Sequence, residues 1–271
     1  MKSGREGFSL IELLVALVML GIVGNAIIVL MIGMQRITRQ QGELAAMQGS
    51  LRSGFQLLQG ELVELAPGDL TDIAGDRLGY RAMRGLGETC DLDATMMKVR
   101  RSSYAGLRPP TPGRDGLWLY LEGDSTIASD DRWLALGLGG ISAATCPDGT
   151  DAWALDAALE PDELAQALVP GPMRTFEEME IGQVQEDGLE WLGIRSEGLG
   201  EASLAPVSGP VTWNGVRFTY LDMNDAPTAT APDVTTIVVM LRGVSERPVG
   251  VGAAGILRVT DSLELRVRLR N

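Results

Sequence analysis

Few side chains in this sequence stand where they could do chemistry, and the first of them is Glu12. It lies in the run FSLIELLVALVMLGIVGNAIIVLMIGM, Phe8 to Met34, whose only strongly polar members are Glu12 and Asn25. A carboxylate near the start of an apolar helix is costly unless it is paired or reaches an interface. On position alone, a glutamate that snorkels to the headgroups accounts for it. The other candidates are sparse. No histidine occurs, which removes the commonest general base, the commonest metal ligand and every Ser-His or Cys-His nucleophile pairing. Cys90 and Cys146 are the only cysteines, too few for a Cys-rich zinc site. In a domain outside the cytoplasm their pairing would close a loop of about 57 residues and contribute roughly 4 kcal/mol in the chain-entropy model; two separate buried thiols are the alternative.

Asp222, Asn224 and Asp225 supply closely spaced oxygens of the kind Ca²⁺ prefers. The same residues before Ala226-Pro227 are also ordinary turn chemistry, and the EF-hand spacing with its terminal glutamate is missing. Adjacent carboxylates such as Glu177-Glu178 and Asp130-Asp131 are abundant, and nothing marks one pair as the two groups a glycosidase would hold at a defined separation. Gly137-Leu138-Gly139-Gly140 lacks the lysine of a phosphate loop and reads as a turn. Five tryptophans, at 118, 133, 153, 191 and 213, could form an adhesive surface, but packing is the default for this side chain. No enzyme is indicated.

The elements that must position these groups begin with the apolar run. At 1.5 Å per residue its span of roughly 40 Å suffices for a tilted transmembrane helix. Its length, and the helical pattern that continues beyond it, distinguish it from a secretory signal. Lys2 and Arg5 precede it and Arg36 and Arg39 follow, so flanking charge does not settle orientation. The chain holds 36 acidic against 23 basic residues, a formal charge of −13, which argues against duplex DNA or anionic lipid as the main partner while leaving local basic patches open. Lysine occurs only at positions 2 and 98; the remaining cations are arginines, which favour planar carboxylate pairs over proton transfer.

Gly7-Phe8-Ser9-Leu10-Ile11-Glu12-Leu13-Leu14-Val15-Ala16 resembles the class III signal shared by type IV prepilins and type II secretion pseudopilins. The resemblance implies that prepilin peptidase cuts between Gly7 and Phe8 and methylates the new Phe8 amine. It implies that residues 1–7 are a leader, and that Glu12 is the assembly glutamate that attracts the amino terminus of a neighbouring subunit. Partners implied are prepilin peptidase, other pilins or pseudopilins through the N-terminal helix, and the inner-membrane assembly platform, with no nucleic acid. The implied location is the bacterial inner membrane, single-pass, with the C-terminal domain periplasmic, and then a pilus or pseudopilus. Some pseudopilins hold calcium in loops like that at Asp222. Unlike many major pilins, the segment from Phe8 to Ala66 has no proline, so its helix is expected to stay continuous, with Gly21, Gly24 and Gly33 as weak points or as sites of close helix approach.

After Met34 the pattern turns amphipathic, with Leu44, Met47, Leu51, Phe55, Leu58, Leu62 and Leu65 at steps of three and four. The expected organisation is a transmembrane helix over 8–34, a stem helix over 35–66 stopped by Pro67-Gly68, and a β-rich domain over 67–271. Leu117–Leu121, Val211–Leu221 and Val234–Leu241 read as strands, and Leu263, Leu265, Val267 and Leu269 alternate with charged residues as a half-buried strand should. Thr145–Pro210 reads as acidic and loop-rich, with a short capped helix at Pro161–Leu168 and a surface loop over Gly198–Gly209. The fold class is α+β, a long N-terminal helix on an antiparallel sheet, which is the pilin arrangement. The Val216–Asp222 segment, its Met223–Pro227 turn and the Val267–Asn271 ending are similar to PilW-type minor pilins and GspJ-type pseudopilins. A minor structural subunit is expected on that resemblance, with a filament-tip binding module, for adhesion or DNA uptake, as the alternative.

Overall fold

The pattern of apolar residues after Met34 demands a helix that buries one face, and the computed structural model, which describes residues 10–123, 126–127, 129–252 and 255–270, contains it. Helix α1 (Leu10–Leu62) runs unbroken through Gly21, Gly24 and Gly33. It ends ahead of the expected stop at Pro67-Gly68. The Leu65 carbonyl accepts the Arg270 N–H at 2.9 Å, outside any helix, and Pro67 disfavours helical geometry at Ala66.

Thereafter the chain is almost entirely β. Strands β1 (Leu70–Ile73), β2 (Arg77–Leu92), β3 (Met96–Arg100), β4 (Ala105–Gly106), β5 (Asp115–Leu121), β6 (Arg132–Gly137), β7 (Ile141–Thr145) and β8 (Asp151–Asp156) precede the short helix α2 (Pro161–Gln166). Then follow β9 (Gly171–Glu186), β10 (Leu189–Ser196), β11 (Ala205–Leu221), β12 (Thr236–Val244), β13 (Gly250–Gly252), β14 (Gly255–Leu257) and β15 (Thr260–Arg268). Strands β13 and β14 form a separate ribbon; the others make one antiparallel sheet with the path β15-β12-β11-β10-β9-β2-β3-β8-β7. Strand β5 joins the outer half of β9 and carries β6. This is the α+β, pilin-like arrangement: a long N-terminal helix followed by a large antiparallel sheet.

Two apolar cores form, one on each half of the sheet. In the first, Leu51, Leu58 and Leu62 of α1 pack on Tyr80, Ile181, Val239 and Leu241. Each such fully buried side chain contributes about 1.5–3 kcal/mol. Gly54 lets α1 approach closely, since a Cβ there would meet Ser208 Oγ at 2.6 Å. The second core, Met97, Val99, Leu117, Leu119, Leu155 and Met173, has no cover from α1. A disulfide between Cys90 and Cys146, with Cα atoms 5.7 Å apart, ties the end of β2 to the loop after β7 beside it.

The region from Thr145 to Pro210, expected to be loop-rich, is richer in strand than that reading: it supplies β8, β9 and β10, and residues 205–209 of the expected surface loop open β11. Glutamates in β9 masked its strand character, because their partners sit on other strands. Helix α2 stops at Gln166, two residues short of the expected end, and the Glu160 N–H donates to the Glu163 carboxylate at 2.9 Å as a cap. On the edge strand β15, Val267 is buried while Glu264, Arg266 and Arg268 face solvent, and such charges discourage edge-to-edge pairing.

Candidate functional site: the apolar helix and its charged footing

Among the described residues, the apolar first half of α1 packs against no other element. Its large apolar side chains stay exposed, from 82% at Leu10 to 47% at Ile32. Among the described residues α1 alone is long and apolar enough to cross a membrane, with a mean hydropathy of 2.8 over an 18-residue window. A Cβ added at Gly21, Gly24 or Gly33 would meet no atom within 4 Å, so these glycines serve no packing inside the subunit. Glu12 projects from this half, exposed. Gly7 and Phe8, its partners in the expected processing and register, lie outside the described residues.

At the other end, α1 stands on a charged layer. Strand β9 presents Met173, Thr175, Glu177, Met179 and Ile181 on one buried face, so Glu177 falls between Met173 of the second core and Met179 of the first. Asp115 is its cross-strand neighbour on β5. Two carboxylates side by side in a buried layer repel unless cations hold them, and three arginines do so. Arg84 donates to Glu177 Oε2 at 3.0 Å, Arg114 to Oε1 at 2.5 Å, and the Ser196 hydroxyl to Oε1 at 2.5 Å. Arg108 grips Asp115 with both terminal nitrogens, at 2.5 and 2.6 Å, and comes within 3.5 Å of Glu177. Glu61 of α1 enters the same layer, accepting from the Tyr80 hydroxyl at 3.0 Å and from Arg84 at 3.4 Å.

Burial alone would raise the Glu177 carboxyl, but the hydrogen bonds from Arg114, Ser196 and Arg84 outweigh it and hold it at about 2. Burial, with the Glu61 carboxylate alongside, pushes the Tyr80 phenol well up. Every carboxylate here is engaged by arginine, and the Ser196 and Tyr80 hydroxyls donate to carboxylates that arginines already hold. The arrangement ties helix to sheet.

The other sequence candidates occupy ordinary structural roles. Asp222 Oδ1 accepts the Asn224 and Ala226 N–H groups at 2.8 and 2.9 Å, Asp225 adopts a left-handed φ of 59° and pairs with Arg266, and together they close a turn. Among the described residues no cluster of three or more His, Cys, Asp or Glu side chains is set to hold a metal. Trp118, Trp133 and Trp153 are half-buried against Phe176, Tyr120 and Tyr104. Trp213 is 77% exposed at an irregularity of β11. Sequence reasoning passed over Glu177 as one carboxylate among many. Its signal was the near-exclusive use of arginine as the cation, which points to planar carboxylate pairs without saying which.

Residues 2–24 match the family model of the prokaryotic N-terminal methylation motif. The match supports a type IV pilin-like protein. It implies cleavage by prepilin peptidase and assembly with other pilins, and together with the apolar helix it is consistent with membrane anchoring. The family that carries this motif is structural. No curated protein and no solved structure matches the chain.

Proposed function

We propose that this chain is a minor subunit of a type IV pilus or type II secretion pseudopilus, cleaved between Gly7 and Phe8, N-methylated on Phe8 and assembled from the inner membrane. The observation that carries the reading is the methylation motif over residues 2–24 continuing into a 53-residue helix whose first half stays exposed among the described residues. In this reading the transmembrane segment is 8–34, the stem follows it, and the sheet domain lies on the periplasmic side. Glu12 receives the Phe8 amine of a neighbour, which neutralises both charges in the apolar interior. Gly21, Gly24 and Gly33 leave backbone open to a facing helix. The size of the domain, larger than that of common major pilins, favours the low-copy role.

Mass spectrometry of the mature N-terminus tests the processing step: the expected product begins at methylated Phe8, and an intact Met1 or a cut elsewhere overturns it. Glu12→Ala tests assembly. Membrane insertion should persist while incorporation into the filament drops at least tenfold; normal incorporation would sink the role given to Glu12.

A further inference from the structure

Strand β11 is interrupted where it runs beside β12. Its pairing steps from Val211 opposite Gly243 to Val216 opposite Leu241, so Thr212 to Gly215 stand against Arg242 alone. The bulge is braced from β9. Gln183 accepts the Val216 N–H at 3.1 Å and donates to the Thr212 carbonyl at 3.5 Å, while its amide nitrogen also meets Glu190 at 3.0 Å. Asn214 takes a left-handed φ of 54°, and a Cβ at Gly215 would meet the Thr212 carbonyl oxygen at 2.6 Å, so a side chain has no room there. Such bulges re-aim a side chain, and left-handed backbone at a residue other than glycine persists where its surroundings hold it. The side chain presented here is Trp213, 77% exposed.

Beside the bulge lies a cleft of about 510 Å³, a size that suits a small ligand. It opens on the face of the sheet opposite α1, where Arg217 and Thr219 point outward between the buried Val216, Phe218 and Tyr220 of the first core. Val238 and Met240 of β12, the latter 39% exposed, give it an apolar floor. Asp76 lines it from the turn between β1 and β2, Asn214 from the bulge, Arg217 from β11 and Glu264 from β15. These four are exposed, and among the described residues their side chains have no hydrogen-bond or ion-pair partner.

The carboxylates accept, the guanidinium donates and the amide does both. Two carboxylates against one arginine disfavour an anion. A peptide strand finds no open edge, because Gln183 holds the Val216 N–H and the Gly75 carbonyl takes the Phe218 N–H at 2.9 Å. A sugar matches both sets of groups: its hydroxyls donate and accept, and its C–H face packs on apolar and aromatic surface. We propose that this cleft and Trp213 bind a neutral oligosaccharide, with Asp76, Asn214, Arg217 and Glu264 on ring hydroxyls and the indole carrying an adjoining sugar. The site is independent of the reading of α1 as a membrane anchor.

A glycan array probed with the full chain tests it, in lauryldimethylamine oxide, a detergent without a sugar headgroup. Neutral hexose and N-acetylhexosamine oligosaccharides, sulfated heparin fragments and acidic peptides form separate arms. Binding is expected on the neutral arm. Titration of the tightest neutral oligosaccharide should show affinity about tenfold weaker in Trp213→Ala and several-fold weaker in Glu264→Gln. Leu107→Ala, exposed on the second half of the sheet, should bind as the unaltered chain does. Circular dichroism should be unchanged in all three, since each side chain is exposed. No binding on the neutral arm, equal or tighter binding of heparin fragments or peptides, or an affinity indifferent to Trp213→Ala would overturn the site. An affinity indifferent to Glu264→Gln alone would remove that carboxylate from it.

Discussion

The two cores of the sheet domain solve the same problem by different means. One is covered by α1, whose Leu51, Leu58 and Leu62 fill it. The other lies beyond the reach of α1 and is closed by the Cys90–Cys146 bond instead. Glu177 and its arginines mark the boundary between them. The difference shows that a helix whose first half stays clear of the sheet can cover only part of a large sheet with the other. The uncovered lobe then needs a covalent tie, and this one suits an oxidising compartment.

The largest expected effect comes from removing that tie. Cys90→Ser with Cys146→Ser should cost about 4 kcal/mol, the chain-entropy value for a loop of this length. Hydrogen exchange should show protection lost in β3, β7 and β8 and kept in β11 and β12; equal loss in both regions would break the comparison. Leu58→Ala makes the converse test. Burial of Leu58 is complete, so a loss of about 3 kcal/mol is expected in denaturant unfolding, with exchange rising first in β11 and β12.

Glu177→Gln probes the boundary and should cost about 2 kcal/mol, since hydrogen bonds to a charged group are replaced by neutral ones. Its pH dependence has a definite sign. The folded carboxyl sits at about 2, below its ordinary value near 4.5, so its stabilisation is complete above about pH 4.5 and is lost as the pH falls toward 2. The variant should lack that part of the acid sensitivity; an unchanged profile would remove Glu177 from the account. The smallest effect is expected of Gly54→Ala. Contact with Ser208 opposes the gain in helix propensity, and a net loss of about 1 kcal/mol is expected by thermal unfolding.

Much of the helix-covered half was legible in the chain itself. Leu44 to Leu65 declared the buried face of α1 by spacing, and Leu263 to Leu269 declared β15 by alternation, because in both cases one side faces core and the other water. Strands β2 and β9 hid for the opposite reason. Glycines and charges interrupt them, and Arg81, Arg84, Glu177 and Glu178 find their partners across the sheet, where no local pattern records it. The same holds for the charged layer: its members come from α1, β2, β5, β9, β10 and the segment before β5, so only the folded sheet assembles it. Asp222 was legible as a turn because its partners, Asn224 and Ala226, are adjacent in sequence.

The stem and the sheet run alongside one another, with Gln48 on Asp261 and Ser50 on Gly209 in succession down α1 and Leu65 on Arg270 just beyond its end. Tension along the helix axis therefore meets these ties in shear, all at once, where a crosswise pull would unzip them singly. A subunit drawn out by its stem would pass the stress to β11, β12 and β15 together, while the disulfide-closed lobe, untouched by the stem, rides free of it.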